Sequence, residues 1–330
     1  MTERVVASCG CRIDLAGGTL DIWPLGLLFD GARTVNMAID VEVEVELARR
    51  SSGYVLRLGE AEYRADDPAA LLREPDAALF AVIASELGLP PVAARMASAS
   101  PRGGGLGASS ALGVALIAAA ERLLGRAARQ PLERAVLVRD LEARLMRFPT
   151  GLQDQLPPQL GGALEIVYRA GGDTVRRLDV DLDALAGCFT VVYTGRGHVS
   201  GETNWQVIRA LLEGDKRTNE LFARIAEIAT AMVPALEAGD LPAVGRLLGE
   251  EWSCRRQLAE GVSTPTIERI LAAAGEAGAW GGKAGGAGGG GCVAVLHPPD
   301  RGDEVRRAMT DAGGEVLAAT PRSRGLLLTP

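Results

Sequence analysis

Hydrophobic and polar positions alternate with a period of two through IDVEVEVELARR, residues 39–50, which predicts a β-strand with one buried and one wet face. A turn at SSG leads into a second short strand, YVLRLGE. The pattern then changes. Across residues 67–97, DPAALLREPDAALFAVIASELGLPPVAARMA reads as helix between proline punctuation. LERAVLVRDLEARLMR predicts another helix, and GALEIVYR and CFTVVYTG return to strand character. Residues 201–275 are mainly helical with a break at STP. The C-terminal part alternates short strands (GCVAVLHP, GGEVLAAT, RGLLLT) with one helix, DEVRRAMTDAG. Strands and helices intermix with no repeat and no long linker, so the predicted class is α+β. The expected hinge lies near residues 170–190, where GGD and DVDLDALAG separate two strand-rich halves.

Composition narrows the function classes. The chain has 330 residues, 47% of them hydrophobic, enough for a large core. Its net charge of -7 comes from mixed acids and bases, so no nucleic-acid or membrane-surface partner is expected. No apolar run reaches transmembrane length. The opening MTERVVASCGCRID lacks the basic-then-apolar order of a signal peptide, and a cytoplasmic location is expected. The five cysteines are odd in number, with Cys9 and Cys11 too close for an unstrained disulfide and Cys188, Cys254 and Cys292 standing singly. His198 and His297 have no ligand-like neighbours, which argues against a zinc site and a Ser-His-Asp triad.

The chemistry gathers in glycine-rich segments. GGGLGASSALG, residues 103–113, runs straight into the helix-forming GVALIAAAERLLG. A helix N-terminus offers unpaired N–H groups and the positive end of a dipole, and glycines before it let main chain approach phosphate oxygens. A flexible loop with a serine cap fits this segment equally well. Neither nucleotide fingerprint settles the matter. A Walker A loop needs Ser or Thr after its lysine, and Lys283 is followed by Ala284; a Rossmann loop would put Ala108 in place of its last glycine. A second segment, GAWGGKAGGAGGGGCVAVLHP (residues 278–298), leads into a strand, which favours close backbone approach over a linker. A third, CRIDLAGGTLDIWPLG, covers residues 11–26.

In this order and spacing the three segments resemble the signature motifs of the GHMP kinases, the superfamily of galactokinase, homoserine kinase, mevalonate kinase and phosphomevalonate kinase. PRGGGLGASSAL is similar to the phosphate motif PxxxGLGSSA. Where galactokinases carry Glu-His, this chain has Gly18 and Thr19. RIDLAGGTLDIWP, TGLQDQLPPQLGG, EEWSCRRQLAEGVSTPTIE and GGKAGGAGGGG instead resemble segments of D-glycero-D-manno-heptose kinases and of the kinase part of fucokinases. Asp14 in place of a small residue, and Pro157 and Pro158 in place of alanines, depart from that pattern.

The resemblance implies a ribosomal-protein-like βαβ N-terminal domain (residues 1–180) and a ferredoxin-like C-terminal domain (residues 181–330), with ATP and Mg²⁺ as cofactors. Gly103, Gly104, Gly105, Gly107, Ala108, Ser109 and Ser110 would surround the ATP phosphates. Ser110 and Glu142 would ligate the metal. Asp154 would be the catalytic base, with Arg12 beside it to offset charge on the moving phosphoryl group. Asp21, Gly17, Gly18 and Thr19 would line the sugar pocket, closed by Gly285, Gly286 and Ala287. Asn36 reads either as a contact to sugar or nucleotide or as a turn residue. Arg255 and Arg256 read either as recognising a phosphate on the acceptor or as a basic helix face. The implied reaction is phosphoryl transfer to a sugar hydroxyl, with the anomeric hydroxyl of D-glycero-D-manno-heptose 7-phosphate as the first expectation and a free sugar, as in fucokinases, as the alternative. A catalytically silent sugar or nucleotide sensor is the rival class. The expected partner is a small-molecule sugar or sugar phosphate, with a homodimer left open.

Overall fold

The computed structural model describes residues 3–197 and 201–330, with only the backbone of residues 201–204. His198 therefore lies outside the described residues. The chain begins with two long strands, β1 (Arg4–Ala16) and β2 (Arg33–Arg49), then the hairpin β3 (Tyr54–Leu58) and β4 (Ala61–Ala65). Helix α1 (Ala78–Leu87), strand β5 (Val92–Ser98) and helices α2 (Ala108–Leu124), α3 (Pro131–Met146) and α4 (Leu156–Leu160) follow. After β6 (Ala163–Val167), β7 (Thr174–Arg177), α5 (Leu182–Gly187) and β8 (Phe189–Tyr193) come four helices, α6 (Gly201–Leu212), α7 (Lys216–Glu237), α8 (Leu241–Arg255) and α9 (Pro265–Glu276). The chain closes with β9 (Gly281–Ala284), β10 (Cys292–Leu296), α10 (Gly302–Asp311), β11 (Glu315–Leu317) and β12 (Leu327–Thr329).

These strands form two sheets. The larger runs β12-β1-β2-β5-β3-β4, with β6 and β7 continuing from the first half of β2; the smaller runs β11-β8-β10-β9. The final strand thus returns to pair with β1. One buried cluster spans both sheets, from Val5, Met37 and Val45 through Leu116 and Ala119 of α2 to Leu248, Ala294 and Leu296. The alternation read at residues 39–50 is real, but β2 itself runs 17 residues from Arg33, and its first half, from Thr34 to Ile39, is buried without a break. The expected helix across 67–97 is not continuous. Gly88 ends α1 in the left-handed conformation (φ 59°), and after Pro90 and Pro91 the chain resumes as β5, whose side chains alternate inside and out. None of the described helices is long and apolar enough to cross a membrane.

All five cysteines are free. Burial pushes the Cys11 and Cys292 thiols up to about 12, and the Cys9 thiol higher still, which leaves these groups protonated and unreactive near neutral pH.

Candidate active site

Strand β1 delivers two charged side chains to one place because residues two apart on a strand share a face. Arg12 and Asp14 are both buried there, beside breaks in the β1–β2 register at Gly10/Arg12 and Asp14/Ala16. Arg12 donates from Nε to Asp154 Oδ1 (2.8 Å) and from Nη1 to Gly105 O (2.6 Å), and its own N–H donates to Leu106 O (2.9 Å). One arginine therefore fixes the proposed base against the first glycine loop. The Arg12 side chain is 3% exposed, whereas Asp154 keeps 29% of its side chain open, so the carboxylate is reached from solvent and the guanidinium backs it.

The two distant glycine segments meet main chain to main chain. Cys292 N donates to Gly104 O (2.8 Å), and a Cβ built on Gly105 would lie 2.8 Å from Gly285 O. Gly105 and Gly107 both sit at φ 71°, which a side chain rarely adopts. No side chain caps α2, which starts at Ala108 directly after this loop. Its first N–H groups thus have no side-chain cap and follow directly on the glycine loop, an arrangement that draws phosphate. Gly103 and Ser109 are exposed, Gly105, Gly107 and Ala108 half-buried, and Gly104 and Ser110 buried.

Glu142, from α3, accepts hydrogen bonds from Ser109 Oγ (2.9 Å), Ser110 Oγ (2.7 Å) and Gln155 Nε2 (3.0 Å). Burial pushes its carboxyl up to about 7 despite these donors, and Gln155 Oε1 lies buried without a partner. Two hydroxyls, a carboxylate short of positive charge and an orphaned amide oxygen are the donor set a hard divalent cation takes, so Mg²⁺ fits here.

Asp21 follows the Gly17–Thr19 turn and accepts from Gln153 N (3.1 Å), leaving Oδ1 buried and unpartnered. A Cβ on Gly151 would lie 1.5 Å from Asp21 Oδ2, so the glycine of TGLQDQ makes the room that carboxylate occupies. Asn36, on β2 and not in a turn, donates to Gln153 O (3.0 Å) and leaves its own Oδ1 unpartnered, as is Gln153 Oε1. Burial, and then the Asp154 carboxylate, push Asp21 up from 3.8 to about 6. Between those values the folded chain keeps a proton that the unfolded chain has released, so this contribution is full below pH 4 and is lost as pH rises through 6. Asp21→Asn removes that slope. Urea unfolding at pH 4 and pH 7 should show the variant gaining about 2–3 kcal/mol on wild type over the interval; a constant difference would contradict the assignment.

Sequence reasoning missed a buried chain of charges. Lys283 Nζ donates to Asp14 Oδ2 (2.6 Å) and pairs with Glu251 Oε2 (2.9 Å); Arg255 pairs with Glu251 Oε1 (2.6 Å) and donates to Gly18 O (2.7 Å) and Thr19 Oγ1 (3.0 Å). Although burial pushes Asp14 up, Lys283, Arg12 and Arg255 hold it well below the usual carboxylate range. Of the two arginines read as recognising an acceptor phosphate or as a basic helix face, Arg255 is committed inside the protein and Arg256 pairs with Glu268 at the surface (2.7 Å). The available signal was a charged residue inside an apolar strand, Asp14, and another among glycines, Lys283. Each needs a buried partner. Of two cavities, one of about 310 Å³ between α8, α9 and β9 has Arg256 in its lining and no other candidate residue, and one of about 440 Å³ beside Gly162 and Asp181 has none.

Comparison with known proteins places this geometry. The family model for the N-terminal domain of GHMP kinases matches residues 76–162, and that for the C-terminal part matches residues 232–315. A mevalonate kinase of Thermococcus sibiricus is 30% identical over 240 residues, 71% of this chain and 68% of its own. The chain belongs to the GHMP kinases. A D-glycero-alpha-D-manno-heptose 7-phosphate kinase of Campylobacter jejuni is 26% identical over 222 residues, 66% of this chain and 64% of that one. Among solved structures, a D-glycero-D-manno-heptose 1-phosphate kinase of Bacteroides thetaiotaomicron has the same fold, with a TM-score of 0.78 at 21% identity over 99% of both chains. The architecture is thus the two-domain α+β fold of GHMP kinases, which are ATP-dependent phosphotransferases.

Proposed function

We infer that this GHMP kinase moves the γ-phosphate of ATP to a hydroxyl of a small sugar, with Asp154 as the base. The observation that carries the reading is the Arg12–Asp154 pair, fixed to Gly105 O at the edge of the joined glycine loops. Phosphoryl transfer asks the protein mainly for positioning and charge neutralisation. The free N–H groups at the start of α2 and the glycine amides around Gly103–Gly107 hold the phosphates. A sugar hydroxyl is too weak an acid to ionise early, so Asp154 takes its proton as the new O–P bond forms. Arg12, beside that carboxylate, offsets charge on the phosphoryl group as it moves. A magnesium ion held by Ser110 and Glu142 would neutralise the β- and γ-phosphate oxygens. Asp21, with Gly17, Gly18 and Thr19, receives the sugar, since carboxylates accept hydrogen bonds from its hydroxyls, and Gly285, Gly286 and Ala287 form the opposite wall. The intact base and phosphate loop argue against a silent sensor.

Two acceptor readings remain in play. The name of the Campylobacter relative and the motifs shared with heptose kinases support the anomeric hydroxyl of D-glycero-D-manno-heptose 7-phosphate. The commitment of Lys283 and Arg255 to internal carboxylates supports a free sugar, because these buried cations carry no spare charge for a substrate phosphate. A panel of heptose 7-phosphate, free heptose, fucose and mevalonate with labelled ATP decides. Label on a sugar is the expected result, and label on mevalonate alone would overturn the sugar assignment.

A further inference from the structure

The buried charges form a continuous path between the two proposed ligand sites. At one end, Gly286 N donates to Asp14 Oδ1 (3.2 Å), and Gly286 packs against Gly105 so closely that an added Cβ would lie 3.2 Å from its Cα. At the other, Arg255 holds Gly18 O and Thr19 Oγ1. Lys283 stands between, bridging Asp14 to Glu251, with all three side chains at 0% exposure. Thr19 is where the path meets the turn that precedes Asp21. It sits at φ 73°, a left-handed conformation that a β-branched residue avoids unless its surroundings impose it. Arg255 supplies that hold, and Glu251 and Lys283 orient Arg255.

We propose that Lys283 is a positioning residue that couples the nucleotide and acceptor sites. This rests on the kinase reading above and adds how its two halves communicate. Nucleotide seated on the joined glycine loops fixes Gly286 and therefore Asp14; Lys283 and Glu251 pass that constraint to Arg255, and Arg255 keeps the Gly17–Thr19 turn in its strained, receptive form. By reciprocity an acceptor on that turn tightens nucleotide binding by the same factor.

Hydrogen exchange tests this without knowing the acceptor. Leu20 N and Ile22 N close turns on Gly17 O (3.2 Å) and Thr19 O (3.1 Å), so their exchange reports the turn directly. In the full-length protein, Mg²⁺ with a non-hydrolysable ATP analogue should slow their exchange about tenfold. Lys283→Met should bind the analogue within about twofold of wild type yet lose that protection. Because Lys283→Met alone leaves buried Asp14 without its ion-pair partner, the double variant Asp14→Asn/Lys283→Met removes one charge of each sign and should show the same loss; the amide oxygen introduced by Asp14→Asn can still accept from Gly286 N. With the acceptor found in the panel, the double variant should bind acceptor about tenfold more weakly when the analogue is present, and the analogue more weakly by the same factor when acceptor is present. Wild-type protection in the double variant, or none in nucleotide-bound wild type, would overturn the coupling and leave the kinase reading standing. Failure of wild type to bind the analogue would overturn both.

Discussion

Asparagine at position 154 lowers turnover by about 10³-fold, while affinity for Mg²⁺-ATP stays within about twofold. The substitution keeps an oxygen for Arg12 Nε to reach, so the guanidinium and its contact to Gly105 O remain in place. What disappears is the group able to take a proton. The proposed phosphate cradle consists of main-chain amides on other segments and should not register the change. Steady-state kinetics and calorimetric titration with a non-hydrolysable analogue separate the two quantities. Near-normal turnover would remove Asp154 as the base; a parallel loss of nucleotide affinity would instead make it part of the cradle.

Alanine at position 105 has the second large effect, and it acts through geometry. The new Cβ would meet Gly285 O at 2.8 Å and the residue would have to hold φ 71°. The backbone conformation costs about 1–2 kcal/mol, and relieving the contact moves the two glycine loops apart. Nucleotide affinity should fall at least about a hundredfold, which corresponds to about 2.7 kcal/mol. Gly125→Ala is the control, since that position has the same handedness (φ 68°) but open space around it. It should cost only about 1 kcal/mol of stability and leave nucleotide affinity alone. Equal nucleotide affinities in the two variants would show that the loops' contact is not what builds the site.

Much of this site was legible in sequence because its main constraint is local. A glycine run before a helix, and another before a strand, announce close backbone approach wherever the chain folds, and the structure joins Gly105 to Gly285 as that reading required. Helices α3 and α10 and strands β8 and β10 were likewise readable from short-range periodicity. The helix expected over 67–97 failed because its apolar spacing continues past Gly88, whose left-handed conformation ended α1. Strand β9, GGKA, was hidden because glycine carries no strand signal; its burial comes from α8, whose Gly245 O would lie 2.0 Å from a Cβ on Gly281. The charge path was unreadable for another reason. Asp14 and Lys283 are 269 positions apart, and neither residue alone specifies its partner. Opposite charges that solve one another's burial leave no periodic trace.

The most direct test of the account is the structure of the protein with Mg²⁺ and a non-hydrolysable ATP analogue. The account predicts the triphosphate along Gly103–Gly107 and the first turn of α2, the terminal phosphate next to Asp154, and the Gly285–Ala287 main chain across the groove. A triphosphate lodged elsewhere, for instance in the cavity between α8 and α9, would contradict it.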